Sequence, residues 1–347
     1  MSTGSEGDAT PRATLSEVAA VADVSISTVS KVLNGRPGVS DETRARVEAL
    51  LHEQGYNRRQ AAQSPAPLIE VLVYEIDSAW ASELIAGVDR VSREYGLGMV
   101  VSGTTDRRSP DPRWIEGVLN RRPVGVLLVL SDLPEAQKRQ LQARNIPYVL
   151  IDQAGSQADG GHSVGSADWS GAYAATRHLI ELGHRRIAII TGPDDMMVAT
   201  ARLSGFRAAL DSAGLDLPRE YVRRGEFHHQ DGLIEGRALL ELGRPPTAVF
   251  ASNDLQALGV YEAARALDMA VPQQVSVVGY DDLKIAGWAV PALTTVRVPL
   301  GAMAEEATRL IMRLRDEPGA AVSRIDLSTT LVVRDSTAAP PEGSAED

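Results

Sequence analysis

The 347-residue chain contains no cysteine, and this absence excludes several classes of protein. A disulfide-linked scaffold, a thiolate zinc site and a cysteine nucleophile all require that residue. The six histidines are scattered, without the spacing of a metal-binding motif. We therefore expect neither a metal nor another cofactor.

Long apolar segments are also missing. No apolar run reaches the roughly 18 residues that a membrane-spanning helix needs. The first eleven residues lack the basic and apolar regions of a signal peptide. Apolar residues make up 44% and charged residues 23% of the chain, which is ordinary for a globular protein of two or three domains. We expect a cytoplasmic protein.

The net charge of −11 is unevenly distributed along the chain. Residues 10–64 carry seven basic and six acidic side chains, a balance of +1, so the acidity belongs to the rest. Binding to nucleic acid depends on a local patch and not on the total charge. The overall acidity therefore does not exclude a DNA-binding segment near the N-terminus.

The pattern of apolar residues divides the chain into a small helical part and a larger α/β part. Between residues 68 and 335, short apolar strands alternate with amphipathic helices, which predicts parallel sheets covered by helices on both faces. About ten such strands are too many for one compact sheet, so we expect two lobes that divide near residues 155–165. The full division is a disordered tail (1–12), a helical domain (13–59), a hinge or linker (60–67), the two lobes (68–335) and a second disordered tail (336–347).

The helical part has the pattern of a helix-turn-helix. Apolar residues recur at helical spacing on both sides of a turn at Asp23-Val24, and Ser25 can cap the second helix. Ser40 can cap a third helix. Any small helical bundle would share these apolar positions, but the outward face of the second helix has no acidic residue, which favours DNA binding. The residues that we expect to be buried are Leu15, Val18, Ala19, Ala22, Val24, Val29, Val32, Leu33, Val47, Leu50 and Leu51.

Several motifs in the same order make the chain similar to a known family. Residues 24–34 read Val-Ser-Ile-Ser-Thr-Val-Ser-Lys-Val-Leu-Asn, and residues 202–206, 251–254 and 275–282 carry further matching motifs. This pattern resembles the LacI/GalR family of transcription regulators over roughly residues 13–335. The resemblance implies a small all-α helix-turn-helix domain followed by an α/β, two-lobed domain like that of periplasmic binding proteins.

The resemblance also implies which residues contact DNA. Ile26, Ser27 and Lys31 would contact base edges. The residues that would contact phosphates or support the helix are Ser25, Thr28, Ser30, Asn34 and Tyr56. Pro65 stands where family members often place a leucine that wedges into the minor groove. Because a proline removes an N–H group and biases the preceding residue away from helical angles, we expect a shortened hinge helix.

Polar and aromatic residues follow the predicted strands, where α/β lobes bind ligands. Aromatic residues make up only 4% of the chain, so those near strand ends carry weight. The candidate effector-binding residues are Asp77, Trp80, Asp152, Trp169, Arg202, Phe227, Asn253 and Asp281. The resemblance favours Arg202, Asn253 and Asp281 as contacts to a small effector, very often a sugar or glycoside. Capping of a helix is the alternative for Asn253 and for Asp168.

Two further features concern the ligand itself. Trp80 and Trp169 suggest a ligand of more than one ring, and Arg202 would also suit a phosphate or carboxylate.

Taken with the helix-turn-helix pattern, these features lead us to expect a repressor that acts as a homodimer on a palindromic DNA operator and is released by a small sugar bound between the lobes. Use of a corepressor and a tetramer stay open.

A sugar-binding protein and an enzyme are the two alternative classes of function. A sugar-binding protein without a transcriptional role would share the two lobes but not the helix-turn-helix. An enzyme is not expected, because the chain has no G-x-G-x-x-G and no G-x-x-x-x-G-K-[ST] motif.

Overall fold

The computed structural model describes residues 15–33, 36, 38–53, 65–106, 110–130, 132–152, 161–317 and 319–341. Within these ranges a three-helix unit precedes two six-stranded sheets with helices packed against them. The expected fold class is therefore confirmed. No helix in the same ranges is long and apolar enough to cross a membrane.

The N-terminal unit consists of α1 (Leu15–Val21), α2 (Ile26–Leu33) and α3 (Asp41–Glu53). Ser25 and Ser40 cap α2 and α3, since the backbone N–H groups of Thr28 and Thr43 donate to their hydroxyls at 3.1 and 3.3 Å. The buried residues that hold the three helices together are Val18, Ala19, Ala22, Val29, Val32, Val47 and Leu51. Leu15, Val24, Leu33 and Leu50 pack against them and are partly buried. The sequence-based prediction of this unit is confirmed.

The first lobe contains five strands and three helices in sequence. The strands are β1 (Ala66–Tyr74), β2 (Gly98–Thr104), β3 (Pro123–Val129), β4 (Tyr148–Ile151) and β5 (Ser163–Ser166). The helices are α4 (Ala79–Glu94), α5 (Pro112–Arg121) and α6 (Glu135–Gln142). Every residue of β3 is buried, as expected for a parallel strand covered on both faces.

The second lobe continues the same alternation. Its strands are β6 (Ile187–Thr191), β7 (Val222–Arg224), β8 (Ala248–Ala251), β9 (Ser276–Asp281) and β10 (Thr294–Arg297). Its helices are α7 (Asp168–Glu181), α8 (Met197–Ser212), α9 (His229–Leu240), α10 (Asp254–Ala266) and α11 (Lys284–Trp288). The strands β6, β8 and β9 are buried along their whole length.

The last elements are shared between the lobes. The helix α12 (Leu300–Asp316) packs on α4 and β3 of the first lobe, and β11 (Arg324–Leu327) pairs with β5. The strand β12 (Thr330–Val332) then pairs with β10 of the second lobe. The sheet orders are β11-β5-β4-β3-β1-β2 and β12-β10-β9-β8-β6-β7, with β12 alone antiparallel to its neighbour.

The chain passes between the lobes at three places: from β5 to α7, from β10 to α12, and from β11 to β12. Only the first of these crossings was expected from the sequence, and it lies slightly later than the predicted range of 155–165. The C-terminal crossings were missed because α12 and β11 belong to the first lobe although they follow the second in sequence.

Two expected boundaries need correction. The linker was expected to extend to residue 67, but β1 begins at Ala66, whose N–H donates to the carbonyl of Arg122 at 2.9 Å. The second tail was expected to be disordered from residue 336. Ser336 is instead buried, where its hydroxyl donates to the carbonyl of Val277 at 2.6 Å and accepts from the N–H of Thr294 at 2.8 Å. The packed chain continues to residue 341.

Candidate functional site

The first candidate surface is the outer face of α2. Ser25, Ile26, Ser27 and Lys31 are exposed, and Ile26 leaves 51% of its surface open. Thr28 and Ser30 are partly exposed. The helix contains no acidic residue, so nothing on it would repel a phosphate backbone.

Three other residues expected to contact DNA do not lie on the described part of α2. Asn34 and Tyr56 lie outside the described residues. Pro65 is exposed and immediately precedes β1. The hydroxyl of Ser25 is already engaged, because it hydrogen-bonds with the hydroxyls of Ser27 and Thr28 at 2.7 and 2.9 Å. Ser25 thus supports the first turn of α2.

The second candidate site is a cavity between the lobes, which holds about 700 Å³ of space and opens in part to solvent. The side chains come from segments that follow strands or begin helices on both lobes, as expected for paired α/β sheets. Six of the predicted effector residues line this cavity: Trp80, Asp152, Arg202, Phe227, Asn253 and Asp281.

Arg202 is the buried centre of this cavity wall. Its Nε donates to Asp168 Oδ1 at 2.7 Å, and its Nη1 donates to the carbonyl oxygen of Ser252 at 2.7 Å. Its Nη2 lies 3.6 Å from Asp281 Oδ1, and its Cζ lies 3.9 Å from the ring centre of Tyr280. Planar stacking and these charged contacts fix the guanidinium on several sides.

Two carboxylates that face the cavity are buried and lack hydrogen bonds to their side chains. Asp281 Oδ1 has no hydrogen-bond partner among the described residues, and Asp152 accepts no hydrogen bond within the same ranges. They are 5% and 4% exposed. Burial raises the pKa of both carboxyls well above the usual value, and for Asp152 the nearby charge of Asp168 adds to this effect. Polar groups of this kind are normally satisfied, so a ligand is the natural source of partners.

The loop that carries Phe227 is held by several contacts. Asp231 Oδ2 accepts from the N–H groups of Glu226 and His228 at 2.6 and 3.0 Å, and Asn253 Nδ2 donates to the Phe227 carbonyl at 2.8 Å. A Cβ on Gly192 would lie within 2.0 Å of the Phe227 ring, so only glycine permits this packing. The ring is therefore held in a defined position at the cavity.

The backbone around the cavity is strained. Ten non-glycine residues of the described chain have a positive φ, and five of them line this cavity. They are Glu75, Leu130, Asp152, Phe227 and Asp281. Such conformations cost free energy and concentrate at functional sites, where the surrounding structure maintains them.

Helix capping was the alternative role for Asn253 and Asp168, and the structure shows it for Asn253 alone. Asn253 is the N-cap of α10, since its Oδ1 accepts from the N–H of Gln256 at 2.9 Å, and it lines the cavity as well. Asp168 is the first residue of α7 and not its cap. Its carboxylate instead accepts from Ser166 Oγ at 3.1 Å and from Arg202.

Two predicted effector residues lie elsewhere. Trp169 lines a second, adjoining cavity. Asp77 is exposed and lines neither cavity, because the turn after β1 places Glu75 and Ser78 at the wall instead. The wall also includes ten residues that were not expected from the sequence, half of which are leucine, valine or methionine. These are Tyr74, Glu75, Ser78, Leu130, Met196, Val198, Glu226, His228, Leu255 and Leu283.

No group of three or more histidine and acidic side chains in the described ranges could hold a metal ion. The wall of the cavity between the lobes carries one arginine, four carboxylates and several rings. Such a wall can donate and accept hydrogen bonds around a small polar molecule and stack against its apolar faces.

Comparison with known proteins agrees with the two-part architecture of the chain. Residues 14–59 match the model of the bacterial regulatory proteins of the lacI family, and residues 176–337 match the periplasmic binding protein-like domain. The ribose operon repressor of Escherichia coli (strain K12) is 34% identical over 93% of this chain and 99% of its own length.

Two solved structures have the same architecture over nearly the whole chain. The transcriptional regulator CelR in complex with cellobiose is 32% identical, with a TM-score of 0.70 over 94% of this chain and 100% of its own. The lac repressor dimer bound to operator and the anti-inducer ONPF is 27% identical, with a TM-score of 0.71 over 95% and 100%.

The matched DNA-binding domain favours a transcriptional regulator over a sugar-binding protein without a transcriptional role. The similar proteins are regulators, and no enzyme is among those named above. From its helix-turn-helix, its two-lobed domain and its relatives, the chain belongs to the lacI family of bacterial regulatory proteins, as a DNA-binding transcriptional regulator.

Proposed function

We propose that the protein is a repressor whose affinity for operator DNA is controlled by a small, neutral, hydroxyl-rich molecule bound between the lobes. The observation that carries this proposal is the pair of buried carboxylates, Asp152 and Asp281, that face the cavity without hydrogen-bond donors in the described chain. Sugar hydroxyls supply such donors, and the rings of Trp80 and Phe227 offer faces for the apolar side of a sugar.

The charge of the cavity argues against a phosphorylated ligand. Its wall carries Glu75, Asp152, Glu226 and Asp281, against Arg202 as its one arginine. The guanidinium is already engaged by Asp168, Ser252 and Asp281. A phosphate would therefore find little free positive charge to bind it, whereas a neutral sugar does not need such a charge.

The relatives support a sugar as the class of ligand. One relative is named for the ribose operon, and one solved neighbour was determined with cellobiose. Arg202 and Asn253 can each donate to a ligand oxygen, while Asp152 and Asp281 accept from ligand hydroxyls. Phe227 and Trp80 contact its faces.

On the DNA side, Ile26, Ser27 and Lys31 contact base edges in the major groove. The side chain of Lys31 donates to guanine, and Ile26 contacts a thymine methyl group. Ser25, Thr28 and Ser30 contact phosphates or support the helix, together with Asn34 and Tyr56. Pro65 takes part at the hinge that joins the two domains.

A dimer is the assembly that fits this use of DNA. A single helix-turn-helix covers a short half-site, and two-fold dimers match palindromic operators. The solved lac repressor neighbour is a dimer bound to operator. The ligand shifts the relative position of the lobes, and its differential affinity for the two states, about 1–3 kcal/mol in typical allosteric proteins, sets the change in operator affinity.

The test is a thermal-unfolding screen of the purified chain against neutral sugars and sugar phosphates, followed by operator binding with each hit. A sugar at about 100 times its dissociation constant should stabilise the fold by roughly 2.7 kcal/mol. A neutral sugar that raises the midpoint and weakens operator binding supports the proposal. Stabilisation by sugar phosphates alone, or by no sugar, contradicts it.

A further inference from the structure

A second cavity adjoins the first and shares Asp152 and Val198 with it. It holds about 750 Å³ of space and opens to solvent. Its walls are β5, β11 and the first turns of α7 and α8. Asp152 therefore lies where the two cavities adjoin.

Trp169 is the aromatic residue of this second cavity. It is 44% exposed, although a tryptophan side chain is normally well covered. Tyr173 stacks on it with ring centres 5.2 Å apart and an angle of 13° between the planes. A Cβ on Gly205 would lie 2.2 Å from the carbonyl oxygen of Trp169, so α8 packs directly on this turn of α7. The ring is thus supported from behind and offers a fixed, open aromatic face.

Polar groups surround this aromatic face. Ser163, Ser166 and Ser170 line the cavity, and Arg324 and Asp326 pair at its exposed edge, with Nε and Oδ2 3.0 Å apart. The carboxylate of Asp152 is buried here and accepts no hydrogen bond within the described chain. An apolar face beside hydroxyls and a carboxylate without donors suits a ring that carries hydroxyls at its edge.

We infer that the second cavity is a subsite for a second sugar ring, so that the effector is a neutral two-ring glycoside. One ring lies in the first cavity between Trp80 and Phe227, and the second lies on Trp169. A hydroxyl near the linkage donates to Asp152. This inference rests on the proposed function, because it assigns the size and class of the ligand in the same cleft.

The experiment is titration calorimetry of the full chain with a panel of α- and β-linked neutral disaccharides and with their component monosaccharides. Trp169→Ala removes the aromatic face, and Trp169→Phe retains part of it. Tyr95→Ala is the matched control, since Tyr95 is 48% exposed and lines neither cavity. Unchanged unfolding midpoints without sugar, and unchanged operator affinity, show that each variant is folded.

We expect one disaccharide to bind at least about tenfold more tightly than either component sugar. Trp169→Ala should remove most of that difference, and Trp169→Phe should restore part of it. The affinity of Trp169→Ala for the monosaccharides should stay within about twofold of that of the parent chain. The affinity of Tyr95→Ala for the disaccharide should stay within the same limit.

Three results would overturn the inference. If a monosaccharide binds as tightly as every disaccharide and releases operator DNA, the proposed function stands and the second subsite does not exist. If Trp169→Ala leaves the disaccharide affinity unchanged, or weakens both classes of sugar equally, Trp169 carries no second ring. If no sugar in the panel binds, the proposed function fails together with the subsite.

Discussion

Glu75 and His228 meet across the mouth of the cleft, with Glu75 Oε1 3.2 Å from His228 Nε2. Glu75 follows β1 in the first lobe, and His228 precedes α9 in the second. A second pair joins the lobes nearby, because Lys284 Nζ at the start of α11 lies 2.9 Å from Glu83 Oε1 in α4. Both pairs are contacts that a movement of one lobe against the other would break.

Reversal of one charge in the second pair, between Glu83 and Lys284, should disfavour this arrangement of the two lobes. Exposed ion pairs contribute about 0.2–1 kcal/mol, so Glu83→Lys should weaken the affinity for the sugar by up to about fivefold. The double variant Glu83→Lys/Lys284→Glu should recover most of the loss. Titration calorimetry with the identified sugar measures both effects. Glu241→Lys, which breaks the exposed pair of Arg237 within one lobe, is the control and should leave the affinity unchanged. Failure of the double variant to recover would exclude the pair as a link between the lobes.

Removal of Arg202 should cost both stability and the sugar response. Arg202→Ala would leave the buried carboxylates of Asp168 and Asp281 without their counter-charge, a change that typically costs about 3–5 kcal/mol. Urea denaturation, followed by circular dichroism, measures the free energy of unfolding. Arg237→Ala removes an exposed arginine and should change it by less than about 0.5 kcal/mol. Equal losses for the two variants would contradict the structural role of Arg202.

Lys31 should contribute to the choice of bases as well as to affinity. A contact to guanine typically discriminates by about 1–3 kcal/mol, so Lys31→Ala should reduce the difference between the operator and its single-base variants. A contact to phosphate alone would weaken binding to all sequences equally. Competition binding with a set of operator variants separates these outcomes. Arg93→Ala removes an exposed positive charge in α4, outside the three-helix unit, and should leave the base preference unchanged.

His184 should make the fold sensitive to acid. It is buried, its Nδ1 lies 2.8 Å from Thr247 Oγ1, and its Nε2 lies 3.0 Å from Ser276 Oγ and 2.9 Å from the Ala338 carbonyl. Burial lowers its pKa to about 4, from the model-compound value of 6.5. Between these two pH values the unfolded chain binds a proton that the folded chain does not. The free energy of unfolding is therefore highest above pH 6.5 and falls as the pH decreases toward 4.

The variant His184→Gln cannot gain this proton, so its unfolding midpoint should fall less between pH 7.5 and pH 5 than that of the parent chain. Differential scanning calorimetry at the two pH values provides the comparison. His229→Gln is the control for the substitution itself, because His229 is partly exposed, with its Nε2 3.5 Å from Glu262. If His184→Gln shows the same pH dependence as the parent chain, another group titrates in this range.

Long apolar strands and amphipathic helices could be predicted from the sequence, whereas the short edge strands could not. The residues of β3 and β6 form continuous apolar runs, because both faces of these strands are buried. By contrast β7, β11 and β12 are three or four residues long and partly exposed, and β7 and β11 include charged side chains. Their pairing depends on neighbours distant in sequence, which no local pattern records.

The wall of the candidate cavity likewise contains residues that could be predicted from the sequence and residues that could not. Arg202, Asn253 and Asp281 could be named in advance because they belong to motifs and follow strands. Leu130 and Met196 are ordinary apolar residues, and only the approach of the two lobes brings them to the same wall. Asp77 was expected there, but the turn after β1 leaves it in solvent and puts Glu75 at the cavity.

The sequence by itself determined the helix-turn-helix, the alternation of strands and helices, and membership of a regulatory family, because each depends on local spacing and on motifs. The tertiary structure alone decided that α12 and β11 return to the first lobe and that residues 336–341 pack against the second. It also decided that Asp152 joins two cavities. The reason is physical: these arrangements bury surfaces and pair polar groups from segments that lie far apart in the chain, and their free energy exists only once the lobes have formed.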